Sequence, residues 1–77
     1  TGHMIVLFNS DQPGMVGKVG AILGEAGMNI DEMVIGHGDT DGVAMMVIKT
    51  GAAPSADVLK ALEAMDGISK VASAEVN

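Results

Sequence analysis

Cysteine is absent from this chain of 77 residues, and so are arginine, tryptophan and tyrosine. Without cysteine there is no disulfide, no thiolate metal site and no cysteine nucleophile. All four basic residues are lysines, set against ten acidic ones, for a net charge of −6. Nucleic-acid binding needs a basic footprint, and this chain lacks one. It also lacks stacking aromatics, since Phe8 is the only aromatic residue. Long hydrophobic runs are missing too. The longest, Met4–Phe8 and Val43–Ile48, fall far short of the roughly 20 apolar residues of a membrane span. No secretory leader pattern is visible. The expectation is a cytoplasmic protein with neither nucleic acid nor membrane as partner.

What is present is aliphatic. Apolar residues make up 48% of the chain and include seven methionines. One domain is the only sensible count at this length. A domain this small buries roughly 60% of its unfolded-chain surface and is marginally stable. A partner that binds only the folded state would help. Thr1-Gly2-His3 ahead of Met4 reads as a tag remnant, which leaves residues 4–77 as the single domain.

Periodicity orders the chain. Met4–Phe8 is a β-branched apolar run and reads as a strand, followed by a polar loop over Asn9–Gln12. Pro13 suits the first turn of a helix, where its missing N–H costs nothing. Met15, Val16, Val19, Ile22 and Leu23 recur at helical spacing, and Gly27 sits where a C-terminal cap belongs. The spacing predicts a helix over about Pro13–Ala26. Ile30–His37 and Gly42–Lys49 read as strands joined by Gly38–Gly42, a hairpin-type turn. Pro54 opens a second helix with Val58, Leu59, Leu62 and Met65 on one face, closed by Gly67. A last strand is expected over Lys70–Val76.

The order is β-α-β-β-α-β. Two such halves with right-handed crossovers form an α+β, ferredoxin-like fold: a four-stranded antiparallel sheet with both helices on one face. Strand three departs from the simplest pattern. Val43, Met45 and Val47 alternate with Ala44, Met46 and Ile48, so both faces are apolar. A sheet that meets another sheet or subunit would explain this.

The candidate site lies in Asn9-Ser10-Asp11-Gln12-Pro13-Gly14, with Asn29 further on. The first N–H groups of a helix lack intrahelical partners and favour a carboxylate. Gly14 lets a ligand approach the backbone. Asp11 is an acceptor for an ammonium, and Asn9 and Asn29 offer donors and acceptors. Together they suit a small zwitterion. The plain alternatives are that Asp11 caps the helix and that Asn29 completes the turn after Gly27. No nucleophile–base pair is evident, and no catalytic residue, metal site or cofactor is expected. His37-Gly38-Asp39-Thr40-Asp41 offers too few oxygens for a calcium loop. Gly14, Gly17 and Gly20 do not match the dinucleotide-binding spacing.

The stretches Asn9–Gly20 and Ile22–Ile30, with their Pro-Gly and Gly-x-Asn-Ile elements, resemble the ACT domain, the regulatory module of amino-acid metabolism. The resemblance covers essentially Met4–Val76. Within that superfamily the wording is similar to the domains that end D-3-phosphoglycerate dehydrogenases, and nearly as similar to those of iron–sulfur L-serine dehydratases. It implies a non-catalytic domain that binds a small amino acid, L-serine, at a homodimer interface. The family's contact positions fall on Asn9, Asp11 and Asn29, with backbone from Pro13-Gly14. Serine-inhibited members carry histidine at the position of Asn9 and asparagine at that of Asp11. The resemblance also implies edge-to-edge dimers through the second strand. Gly17, Gly20 and Gly24 would permit close approach of a neighbouring helix or ligand, or of the chain's own sheet. The competing expectation is a structural module that dimerises without a ligand. An acylphosphatase-type catalyst shares the fold but relies on an arginine, which this chain does not have.

Overall fold

Residues 2–10, 14–37 and 42–76 are described by a computed structural model. They form β1 (Gly2–Ser10), α1 (Met15–Glu25), β2 (Ile30–His37), β3 (Val43–Thr50), α2 (Ala56–Glu63) and β4 (Ile68–Val76). The strand order is β2-β3-β1-β4, and β1 pairs antiparallel with both β3 and β4. The expected ferredoxin-like βαββαβ architecture is therefore what the chain adopts.

Period two sets the layers. Ile5 and Leu7 of β1 and Met46 and Ile48 of β3 are buried and cluster with Met15, Val19 and Leu23 of α1 and Val58 and Leu62 of α2, and Ala44 of β3 is buried too. Both helices thus cover one face. The intervening residues Met4, Val6 and Phe8, with Met45 and Val47, lie on the other face, which none of the described elements covers.

Element ends moved for identifiable reasons. β1 begins at Gly2, with His3 opposite Thr50 and Glu75. It continues through Asn9 and Ser10, expected in a loop, because these pair with Ala44 and Val43. The N–H of Ser10 also donates to the carbonyl of Gly67 at 2.7 Å. β4 starts at Ile68 rather than Lys70, since Ile68 already pairs with Asn9. α1 starts at Met15, not at Pro13, and its N-cap is Gly14 at φ 87°. α2 starts after Ser55, whose Oγ accepts from the N–H of Val58 at 3.2 Å. Pro54 therefore lies ahead of that cap and outside the helix. Ser55→Ala should cost about 1 kcal/mol. Thermal unfolding would register this as a fall of roughly 4–8 °C in Tm.

The hairpin turn expected around Gly38–Asp41 lies outside the described residues. No helix among the described residues is long and apolar enough to cross a membrane.

Candidate functional site

β1 delivers Asn9 to the end of the sheet where α1 begins. The strand's alternation turns Asn9 toward the helices, in line with Ile5 and Leu7, and it is only 3% exposed. Its Nδ2 donates to the carbonyl of Ser10 at 2.9 Å. Its Oδ1 is buried with no hydrogen-bond partner among the described residues, and so is the neighbouring Ser10 Oγ. A buried acceptor left unpaired costs about 1–3 kcal/mol. Asn9 therefore presents an unpaired acceptor, while its Nδ2 has spent one of its two N–H groups on the Ser10 carbonyl. What would satisfy it is a donor, such as an ammonium, a hydroxyl or a water.

Gly14 comes four residues after Ser10 in the chain. Its φ lies in the left-handed region, which L side chains rarely adopt. As N-cap it has no side chain with which to satisfy the first N–H groups of α1. Asp11 and Pro13, the other expected contributors, lie outside the described residues. Gly67 packs against the same corner. A Cβ there would fall 2.7 Å from Ser10 Oγ, and its φ is 94°. The turn before β4 and the end of β1 are thus fastened at one point. From the sequence, Ser10 is expected only as part of the loop and Gly67 only as the end of the second helix. Their role depends on a contact between segments 57 residues apart, which no local pattern reveals.

Asn29 is elsewhere. Ile30, the residue after it, pairs with Thr50, which in turn pairs with His3. Asn9 is six residues further along β1, so the two asparagines sit at opposite ends of the sheet, about 20 Å apart. One chain cannot close both around a small molecule. Nor is Asn29 needed for the turn. The N–H of Met28 donates to Leu23 and that of Gly27 to Gly24, both at 3.0 Å, which completes the helix C-cap without it. Asn29 is exposed and lines an open cavity of about 470 Å³ with Met28, Asp31, Gly51 and Ser55. Asp31 brings a carboxylate to that cavity.

The glycine stripe also resolves. A Cβ at Gly17, Gly20 or Gly24 would meet nothing within 4 Å. Packing of α1 on its own sheet therefore does not require them. No cluster of three or more metal-ligating side chains occurs among the described residues.

Comparison with known proteins places this geometry. The ACT domain family model matches residues 3–67. The D-3-phosphoglycerate dehydrogenase of Archaeoglobus fulgidus is 35% identical over 69 residues, covering 87% of this chain and 13% of that protein. D-3-phosphoglycerate dehydrogenase 2, chloroplastic, of Arabidopsis thaliana is 37% identical over 70 residues, covering 91% of this chain and 11% of that protein. The chain thus spans about an eighth of the length of these curated relatives. Among solved structures, the ligand-free regulatory subunit of aspartate kinase from Thermus thermophilus matches with a TM-score of 0.77 at 23% identity, over 95% of this chain and 50% of that one. The ACT domain of GTP pyrophosphokinase from Chlorobium tepidum matches with a TM-score of 0.73 at 16% identity, over 96% of this chain and all of that one. At such identities the solved structures speak for the fold, while the family model and the dehydrogenases speak for descent. On these grounds the chain belongs to the ACT-domain family.

Proposed function

We propose that this chain is a non-catalytic regulatory domain that binds a small amino acid, L-serine, between two copies of itself. The observation that carries the reading is the buried, unpartnered Oδ1 of Asn9 beside the start of α1. An α-ammonium would satisfy that acceptor together with Asp11. The α-carboxylate would take the N–H groups at the Pro13-Gly14 end of the helix. Charge-assisted hydrogen bonds of this kind contribute about 1.5–3 kcal/mol each. Two or three of them, less the cost of immobilising the ligand, give roughly micromolar to millimolar affinity.

The position of Asn29 supports a dimer. Strand β2 is an edge strand, and Ile30, Val34 and Ile35 on it are exposed. A two-fold axis that pairs β2 antiparallel with its copy joins the sheets into eight strands. It sets the start of one β2 beside the end of the other. His37, Ala44 and Asn9 form one cross-strand row at that end. Asn29 of the partner subunit would then reach the end of the sheet that carries Asn9.

Helix α1 supports the same axis. With Met15, Val19 and Leu23 turned to the sheet, the 100° step puts Val16, Gly20 and Gly24 along one flank. A right-handed crossover turns that flank toward the β2 edge. Val16 is exposed there, and the glycines leave room for the copy's helix. A ligand held by both copies would bias their relative orientation, and that bias is the signal passed to an attached enzyme. The dehydrogenase relatives support an enzyme of serine metabolism as the parent, D-3-phosphoglycerate dehydrogenase ahead of L-serine dehydratase.

A purely structural dimerisation module is the second reading. It is favoured by the Asn9 amide, which already commits one N–H to its own backbone. Thermal unfolding with a panel of amino acids separates the two. At 100 times its dissociation constant, a ligand specific to the folded state adds about 2.7 kcal/mol. A rise in Tm with L-serine, absent with alanine and D-serine and abolished in a still-dimeric Asn29→Ala variant, is expected. No rise with any amino acid at millimolar concentration would leave the structural module standing.

A further inference from the structure

We infer that the open face of the sheet seats a second copy of this chain, sheet against sheet. Three cross-strand rows make up its centre. Val34, Val47, Val6 and Ala72 form one, and Gly36, Met45, Phe8 and Lys70 the next. Glu32, Lys49, Met4 and Ala74 form the third. Phe8 and Met45 are each 37% exposed and Val34 is 53% exposed, although they are apolar and adjacent. The charged residues sit at the rim, which is the anatomy of a protein interface rather than of a solvated sheet.

Charge and area point to a copy of the same chain as the occupant. At −6, most of the molecule repels itself. On the open face, among the described residues, the one carboxylate is Glu32, and Lys49 Nζ lies 3.7 Å from it. Lys70 is the remaining charge. Two such faces can therefore meet without opposing unpaired carboxylates, whereas faces bearing the other acidic residues cannot. Four strands about 4.8 Å apart, over seven residues of about 3.4 Å, give a flat footprint of roughly 450 Å². That is about half of the roughly 800 Å² per partner of a standard interface, the size of a weak, concentration-dependent contact. Stacked sheets at about 10 Å separation would interleave Phe8, Met45 and the valines as a core. The contact leaves the β2 edge free, so it does not rest on the ligand reading. Combined with edge pairing it makes a tetramer.

Sedimentation equilibrium of the intact chain over a concentration series tests this, with Met45→Glu and Phe8→Glu as separate variants. Both positions are partly exposed in the single chain, so the fold should survive, and circular dichroism checks that it does. The expected result is an assembly mass that falls twofold in either folded variant, with the face contact weakened about 100-fold or more. Any L-serine response should be retained, which keeps this test separate from the previous one. An unchanged mass in a folded variant would overturn the inference. So would a wild-type chain that never exceeds the mass of the variants.

Discussion

Ile48→Ala should strip this domain of a large share of its stability. Ile48 is fully buried on the central strand β3, with Ile5 opposite it on β1 and Met33 on β2. It belongs to the cluster where both helices meet the sheet. Truncating a buried isoleucine to alanine costs about 2–5 kcal/mol, more where the surroundings cannot collapse into the gap. Here collapse is hindered, because hydrogen-bonded strands flank the site on both sides. A chain of this length has only about 4–12 kcal/mol in total. At roughly 4–8 °C per kcal/mol, Tm should fall by at least about 10 °C. Ile48→Val, which removes one methyl, should cost about 0.5–1.5 kcal/mol. Denaturant unfolding at one fixed protein concentration measures both, since assembly makes Tm concentration-dependent. A loss below about 1 kcal/mol for Ile48→Ala would mean the core is not packed as described.

Much of this core was legible from residue types alone, because period-two and period-3.6 patterns determine which side chains can share a face. Ile5, Leu7, Met46 and Ile48 on strands, and Val19, Leu23, Val58 and Leu62 on helices, follow from that periodicity. Element ends were less legible. Ser10 reads as a loop residue until Gly67 supplies a carbonyl for its N–H. Pro54 reads as the start of a helix until Ser55 is seen to cap it.

The candidate site was legible as a set of residue types but not as a place. Asn9 and Asn29 both suit a zwitterion, yet the antiparallel register puts them at opposite ends of the sheet. No local pattern could reveal that separation. The inward turn of Asn9, which leaves one buried acceptor unpaired, depends equally on the register with Ala44.

That separation supplies the most direct test of the account, because a site shared between copies can be rebuilt from two damaged halves. Asn9→Ala and Asn29→Ala should each weaken L-serine binding by roughly 10- to 100-fold, from the loss of one charge-assisted or amide hydrogen bond. When the two variants are unfolded together, refolded and mixed, each heterodimer contains one intact site, with Asn9 from one chain and Asn29 from the other. Its second site has neither. Calorimetric titration of the mixture with L-serine should therefore recover tight binding at about one quarter of the wild-type sites, given random pairing of subunits. Failure of the mixture to bind better than either variant alone would contradict a site built across the two-fold axis.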